Sequence, residues 1–125
     1  MGQLDRAISE YNRAIDLDGK YAVAYDNLAL IYRDKGDFDN AIRTFEQAIK
    51  LDPKLGYAYK ELGDVYYAKR DYNRAVTYYD LAIEISPNYI PAYIQRGHAY
   101  EMKGDTNKVY DNVRKMLVVL KKILM

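Results

Sequence analysis

The amino-acid sequence predicts an all-α array of antiparallel helical hairpins, about three full repeats preceded by half of one. Three observations carry this reading. The chain superposes on itself at one fixed offset, so that AISEYNRAIDLDG (7–19), AIRTFEQAIKLDP (41–53) and AVTYYDLAIEISP (75–87) align. Each unit holds two stretches whose apolar residues recur at helical spacing. The breaks between stretches fall at glycine, aspartate and proline, where helices stop and start.

Residues 1–21 read as a lone second helix of a hairpin, with Leu4, Ala7, Ile8, Tyr11 and Ile15 on its apolar side. The first helix that should cover that side is missing, which predicts a fragment cut from a longer array. Leaving ~200 Å² of apolar surface bare forgoes about 5 kcal/mol of gross burial, so this end is expected to fray or to find a partner.

Residues 22–55 form the first complete unit. Its first, or A, helix carries Tyr25, Leu28, Ala29 and Tyr32 at i, i+3, i+4 and i+7. Gly36 can take the left-handed conformation that ends it, and Asp37 can cap the next helix. The second, or B, helix carries Ala41, Ile42, Phe45, Ala48 and Ile49, and Asp52-Pro53 closes it, since proline cannot donate the next helical hydrogen bond.

Residues 56–89 repeat the logic with Tyr59, Leu62, Gly63 and Tyr66, then the cap Asp71, then Ala75, Val76, Tyr79, Ala82 and Ile83, closed by Ser86-Pro87. Small residues at Ala29, Gly63 and Gly97 are expected to face the Ala41 and Ala75 column and let the paired helices approach closely. The recurring Tyr25, Tyr59, Tyr93 and Tyr32, Tyr66, Tyr100 are expected to pack, each ring supplying buried area and a hydroxyl that can reach a polar partner.

Residues 90–125 depart from the pattern. Arg96 stands in the column of Leu28 and Leu62, and Thr106, Val109, Val113 and Met116 replace the aromatic and alanine columns. After Gly104 and the cap Asp105 the last helix runs on to Met125, about 21 residues or roughly 30 Å. Val119, Leu120, Ile123, Leu124 and Met125 make its end apolar, where an array normally carries a polar face. All four segments are expected to form one domain, 1–125.

Composition narrows the function classes. With 19 basic and 18 acidic residues the net charge is +1, which gives no global pull on nucleic acid or an anionic membrane. The chain has no cysteine, which removes disulfides, thiolate metal sites and cysteine nucleophiles. Its longest apolar run, Met116 to Leu120, is far short of the ~20 residues of a membrane span. His98 is the only histidine, and no glycine-rich phosphate loop or strained nucleophile turn is present, so neither an enzyme nor a cofactor nor a metal site is expected.

The columns Tyr25-x2-Leu28-Ala29-x2-Tyr32, Ala41-x3-Phe45, Ala48 and Pro53 resemble the signature of the tetratricopeptide repeat family, and the 57–87 unit matches it too. The period of 34 separates the chain from pentatricopeptide repeats, whose period is 35 and which bind RNA. The resemblance implies a right-handed superhelical array, a TPR solenoid. It also implies a protein-protein interaction scaffold that holds a peptide or protein segment in a concave groove made by the A helices.

On that implication the groove residues are Asp26, Asn27, Leu30 and Arg33 from the first complete unit, Tyr57, Lys60, Glu61, Asp64 and Tyr67 from the second, and Ile94, Gln95 and His98 from the last. All are expected to be exposed, with Val23, Asp34, Ala68, Glu101 and Met102 beside them. Family members that grip acidic chaperone tails place Lys, Asn and Arg where this chain has Asp26, Leu30, Glu61, Pro91 and Gln95, so that ligand does not fit. A ligand with basic and apolar groups suits Asp26, Asp34, Glu61 and Asp64 better. The alternative is a structural or engineered module, close to a family average, that self-associates into homo-oligomers through its ends by way of Leu4, Ile8, Tyr11, Leu117, Leu120 and Leu124.

Overall fold

Where the sequence alternates apolar residues at helical spacing, the backbone is helical, and where it carries Asp after Gly, it turns. The computed structural model describes residues 2–19 and 21–125. Among them lie α1 (Gln3–Leu17), α2 (Ala22–Asp34), α3 (Phe38–Leu51), α4 (Gly56–Ala68), α5 (Tyr72–Ile85), α6 (Ile90–Lys103) and α7 (Thr106–Leu124), with no strand. The A helices start at Ala22, Gly56 and Ile90 and the B helices at Phe38, Tyr72 and Thr106, each series stepping by the period of the sequence.

One hydrogen-bond pattern ends all three A helices. The amide of Asp37 donates to Tyr32 O (2.9 Å) and that of Gly36 to Arg33 O (2.8 Å). The same pair recurs at Asp71 and Arg70 (2.9 and 2.9 Å) and at Asp105 and Gly104 (3.0 and 3.0 Å). This stop needs a left-handed residue. Gly36 (φ 79°) and Gly104 (φ 73°) supply it freely, but in the middle hairpin the position is Arg70 (φ 65°), the one non-glycine with positive φ among the described residues. Next in sequence, Asp37, Asp71 and Asp105 each accept from the amide three residues on, Asn40, Arg74 and Lys108, at 3.3, 3.2 and 3.3 Å. The caps expected from sequence are in place.

The chain divides into two compact units, Met1–Ala58 and Tyr59–Met125. In the first, α2 packs between α1 and α3, and Ala24, Leu28, Ala29, Ala41, Phe45, Ala48 and Ala58 form its buried apolar set. No residue of α1 is buried. Its Leu4, Ala7, Ile8, Tyr11 and Ile15 are half-buried, so α2 covers part of the stripe and Leu17 stays 85% exposed.

In the second unit Leu62, Val65, Ala75, Tyr79, Ala82, Ala92, Tyr93 and Ala99 are buried. Close approach here differs from the expectation. A Cβ on Gly63 would lie 2.6 Å from Tyr79 Cε1, and one on Gly97 would lie 2.9 Å from Asn112 Nδ2. The nearest neighbours for which these glycines make room are therefore a ring and an amide. Of the six recurring tyrosines expected to pack, only Tyr93 is buried; the other five are half-buried, and the deepest tyrosine ring is Tyr79 of α5. Helix α7 is continuous to Leu124, with Leu117, Val118, Leu124 and Met125 exposed.

Candidate functional site

Helical period places Asp64 and Gln95 on the A helices α4 and α6, and folding brings their side chains together. Asp64 Oδ1 accepts from the Tyr79 hydroxyl at 2.6 Å and from Gln95 Nε2 at 3.3 Å, while Oδ2 meets Lys60 Nζ at 2.7 Å. One carboxylate thus ties α4 to α5 and to α6. Lys60 and Asp64 sit one turn apart on α4, with side chains only 20% and 16% exposed, so water screens the pair incompletely. Burial, and then the Asp64 charge beside it, push the Tyr79 hydroxyl far above the ordinary tyrosine range, so it stays a donor at any physiological pH.

Around this clamp the face is mixed. Ile94, His98 and Met102 fall on one line of α6 and are exposed, Ile94 by 44% and Met102 by 56%. His98 Nδ1 lies 3.6 Å from Glu101 Oε1, both in solvent. On α4, Tyr67 packs edge-on against Tyr72 at 5.3 Å, and its neighbour Tyr66 stacks on Tyr78 at 5.4 Å beneath the Arg74 guanidinium. Lys60, Glu61, Asp64, Tyr67 and Gln95 are half-buried.

In the first unit the expected residues fare differently. Asp26, expected in the open, is 2% exposed, which corrects that reading. Asn27, Leu30 and Arg33 are half-buried, and Arg33 Nη2 is held 3.3 Å from Asp34 Oδ1. Tyr57, in the first turn of α4, is 36% exposed. At the other end of this unit Lys35 pairs with Asp5, tying the end of α2 to α1, and that bond raises the Lys35 pKa.

Sequence reasoning missed a buried polar fork in the second unit. Arg96, 8% exposed, donates from Nε to Asn112 Oδ1 at 2.7 Å and from Nη1 to Asp80 Oδ1 at 2.8 Å, with its Cζ 5.3 Å from the centre of the Tyr93 ring. Asn112 Nδ2 in turn donates to Tyr93 O at 2.8 Å. The signal was an arginine in a leucine column; its partners lie on the helices before and after its own, too far along the chain for spacing to point to them. Among the described residues no group of three or more His, Cys, Asp or Glu side chains could hold a metal ion, and no helix is long and apolar enough to cross a membrane.

Two family models described as tetratricopeptide repeat match the chain, one over residues 27–90 and one over residues 1–21. No match is found among curated proteins. Among solved structures the chain is similar to one titled "Crystal structure of MamA", at 30% identity and a TM-score of 0.91, over 98% of this chain and 72% of that one. A second, "Crystal structure of MamA protein", is 30% identical with a TM-score of 0.89, over 97% of this chain and 66% of that one. A third, "MamA RS-1 ArsTM double mutant", shares the fold at 16% identity and a TM-score of 0.85, over 97% of this chain and 68% of that one.

Proposed function

The chain belongs to the tetratricopeptide repeat family and is a protein-interaction scaffold, and from that premise we propose that the outward face of the A helices α4 and α6 binds a peptide segment. The observation that carries the reading is the Asp64 clamp. By bonding Gln95 and Tyr79 at once it holds the two A helices side by side in a fixed register, so a ligand meets a surface already organised.

Two apolar anchors stand on that face. Ile94 and Met102 are eight residues apart on α6, or about 12 Å at 1.5 Å per residue, which is the reach of roughly four residues of extended chain. The ligand that fits is a segment with two apolar side chains at that spacing. Asp64 already accepts from three donors, so its part is to hold the wall, and polar recognition falls to His98 and Glu101 at the rim.

Self-association through Leu4, Ile8, Tyr11, Leu117, Leu120 and Leu124 has less support. The three α1 residues are half-buried in their own unit, and an α7 helix with five basic residues and one acidic residue opposes pairing with its like.

The test is selection of random 12-residue peptides against the full chain, followed by titration of selected peptides into Ile94→Asp and Met102→Asp. Both substitutions are at exposed positions, and an unchanged thermal midpoint checks that each variant keeps the fold. Each is expected to weaken binding about tenfold or more, the loss of one buried anchor. Peptides whose affinity neither variant changes would move the site elsewhere.

A further inference from the structure

Helix α7 leaves open a face that its counterpart in the preceding hairpin buries. Tyr79 of α5 is 0% exposed and shares a buried cluster with Ala99 of α6, the helix that follows it. Val113, its counterpart one repeat later, is 38% exposed. One sector of α7 is used against α6, where Asn112 is buried and Val109, Met116 and Val119, on the same helical line, are half-buried.

Beside that sector runs a second stripe. Tyr110, Val113, Leu117, Leu120 and Leu124 alternate at spacings of three and four, and Tyr110, Leu117 and Leu124 are 61%, 55% and 83% exposed. This is the seam one helix offers another, and it runs roughly 21 Å along the axis. It spans about 80° at 100° per residue, and the exposed Val118 and Ile123 lie outside it.

Charge selects among helices. The open border of the seam is Arg114, whose side chain is 70% exposed and meets Asp111 Oδ1 at 3.3 Å in solvent, and Lys121. Lys108, Lys115 and Lys122 lie behind them, against the single acid Asp111. Two basic borders would repel in a pair of like helices, whereas an acidic border on the incoming helix completes the charge pattern.

We propose that the α7 seam docks an amphipathic helix of a partner protein that carries Glu or Asp along the border of its own apolar seam, opposite Arg114 and Lys121. The seam shares no residue with the α4–α6 face, so this reading and the peptide-binding one stand or fall separately.

The probes are two synthetic helical peptides of about 21 residues with leucine at the seam positions, one with glutamate and one with lysine at the flanks. Titrated into the full chain by fluorescence anisotropy, the glutamate peptide is expected to bind about tenfold tighter or better, an advantage that shrinks as salt rises. Leu117→Ser should lower its affinity about tenfold without moving the thermal midpoint, because that side chain is more than half exposed. The double variant Arg114→Glu, Lys121→Glu should exchange the order of the two peptides.

Equal binding of both peptides, or of neither, overturns the proposal. So does binding to phosphatidylglycerol vesicles that Leu117→Ser abolishes while the peptides stay unbound, which makes the seam a membrane face. A molar mass that grows with concentration in the parent but not in Leu117→Ser, again without peptide binding, assigns the seam to a second copy and overturns it equally.

Discussion

Removing one oxygen tests the clamp that holds the candidate site. In Tyr79→Phe the ring still fills the space beside Gly63, but the 2.6 Å hydrogen bond to Asp64 is gone. Hydrogen bonds to charged acceptors contribute about 1.5–3 kcal/mol. Asp64 keeps Lys60 and Gln95, which puts the loss near the lower end, at about 1.5 kcal/mol at pH 7. The pH dependence is more diagnostic. The folded state raises the Tyr79 pKa above its ordinary value of 10.0, so the folded chain keeps a proton that the unfolded chain releases. The contribution is therefore complete below pH 10 and falls as pH rises beyond it, by about 1.4 kcal/mol for each unit until the folded group itself ionises. The assay is urea unfolding of parent and variant from pH 8 to 11.5. Titrations common to both chains cancel in the difference. The gap in stability should therefore hold steady to pH 10 and then narrow about as steeply as that slope over the first unit. A gap that stays constant across that range would refute the clamp as described.

Three further substitutions probe the packing. Gly63→Ala should destabilise by about 1–3 kcal/mol, because its Cβ would lie 2.6 Å from the Tyr79 ring in a buried interface; thermal unfolding measures it. Arg70→Gly should stabilise by about 1 kcal/mol, since it relieves a left-handed residue at the position where Gly36 and Gly104 stand in the other hairpins; chemical denaturation checks the sign. Arg96→Ala should cost about 3 kcal/mol by leaving Asn112 buried without its donor, whereas Arg96→Leu with Asn112→Leu should return to within about 1 kcal/mol of the parent, as read by the urea midpoint.

What was legible in the sequence is what local chemistry controls. Asp37, Asp71 and Asp105 cap because an aspartate just before an apolar period can reach the amide three residues on, whatever else the chain does. The family resemblance likewise rested on columns that repeat. Where three elements decide the outcome, the period says too little. It put Asp26 in the open when the side chain is 2% exposed, and it left Gly63 opposite the alanine column when the nearest atoms are those of Tyr79. It marked Arg96 as an irregularity without finding Asp80 and Asn112, each on a different helix. The exposed line Ile94, His98 and Met102 was readable as spacing; the clamp beneath it was not, since Asp64 and Gln95 stand on different helices with a third between them.

The fork at Arg96 also bears on why the α7 seam faces outward. If the last hairpin were a plain translation of the one before, Gly97 would meet Val113, as Gly63 meets Tyr79. Gly97 instead meets Asn112, one position earlier. Asn112 is placed there by two bonds that both lie on α6, from Arg96 Nε and to Tyr93 O. A buried guanidinium needs such acceptors, because an unmatched one would cost several kcal/mol, and an amide that both accepts and donates can occupy the slot where a valine cannot. The polar fork therefore fixes the contact α7 makes with α6, and the apolar residues of the next columns, Val113 and Leu117, are left on the open side. A leucine at 96 alone would not restore the α5 arrangement, since Asn112 would keep its bond to Tyr93 O and still hold the slot. The register of α7 is thus set by hydrogen bonding, while the outward seam is the apolar surface that this register leaves for another helix to cover.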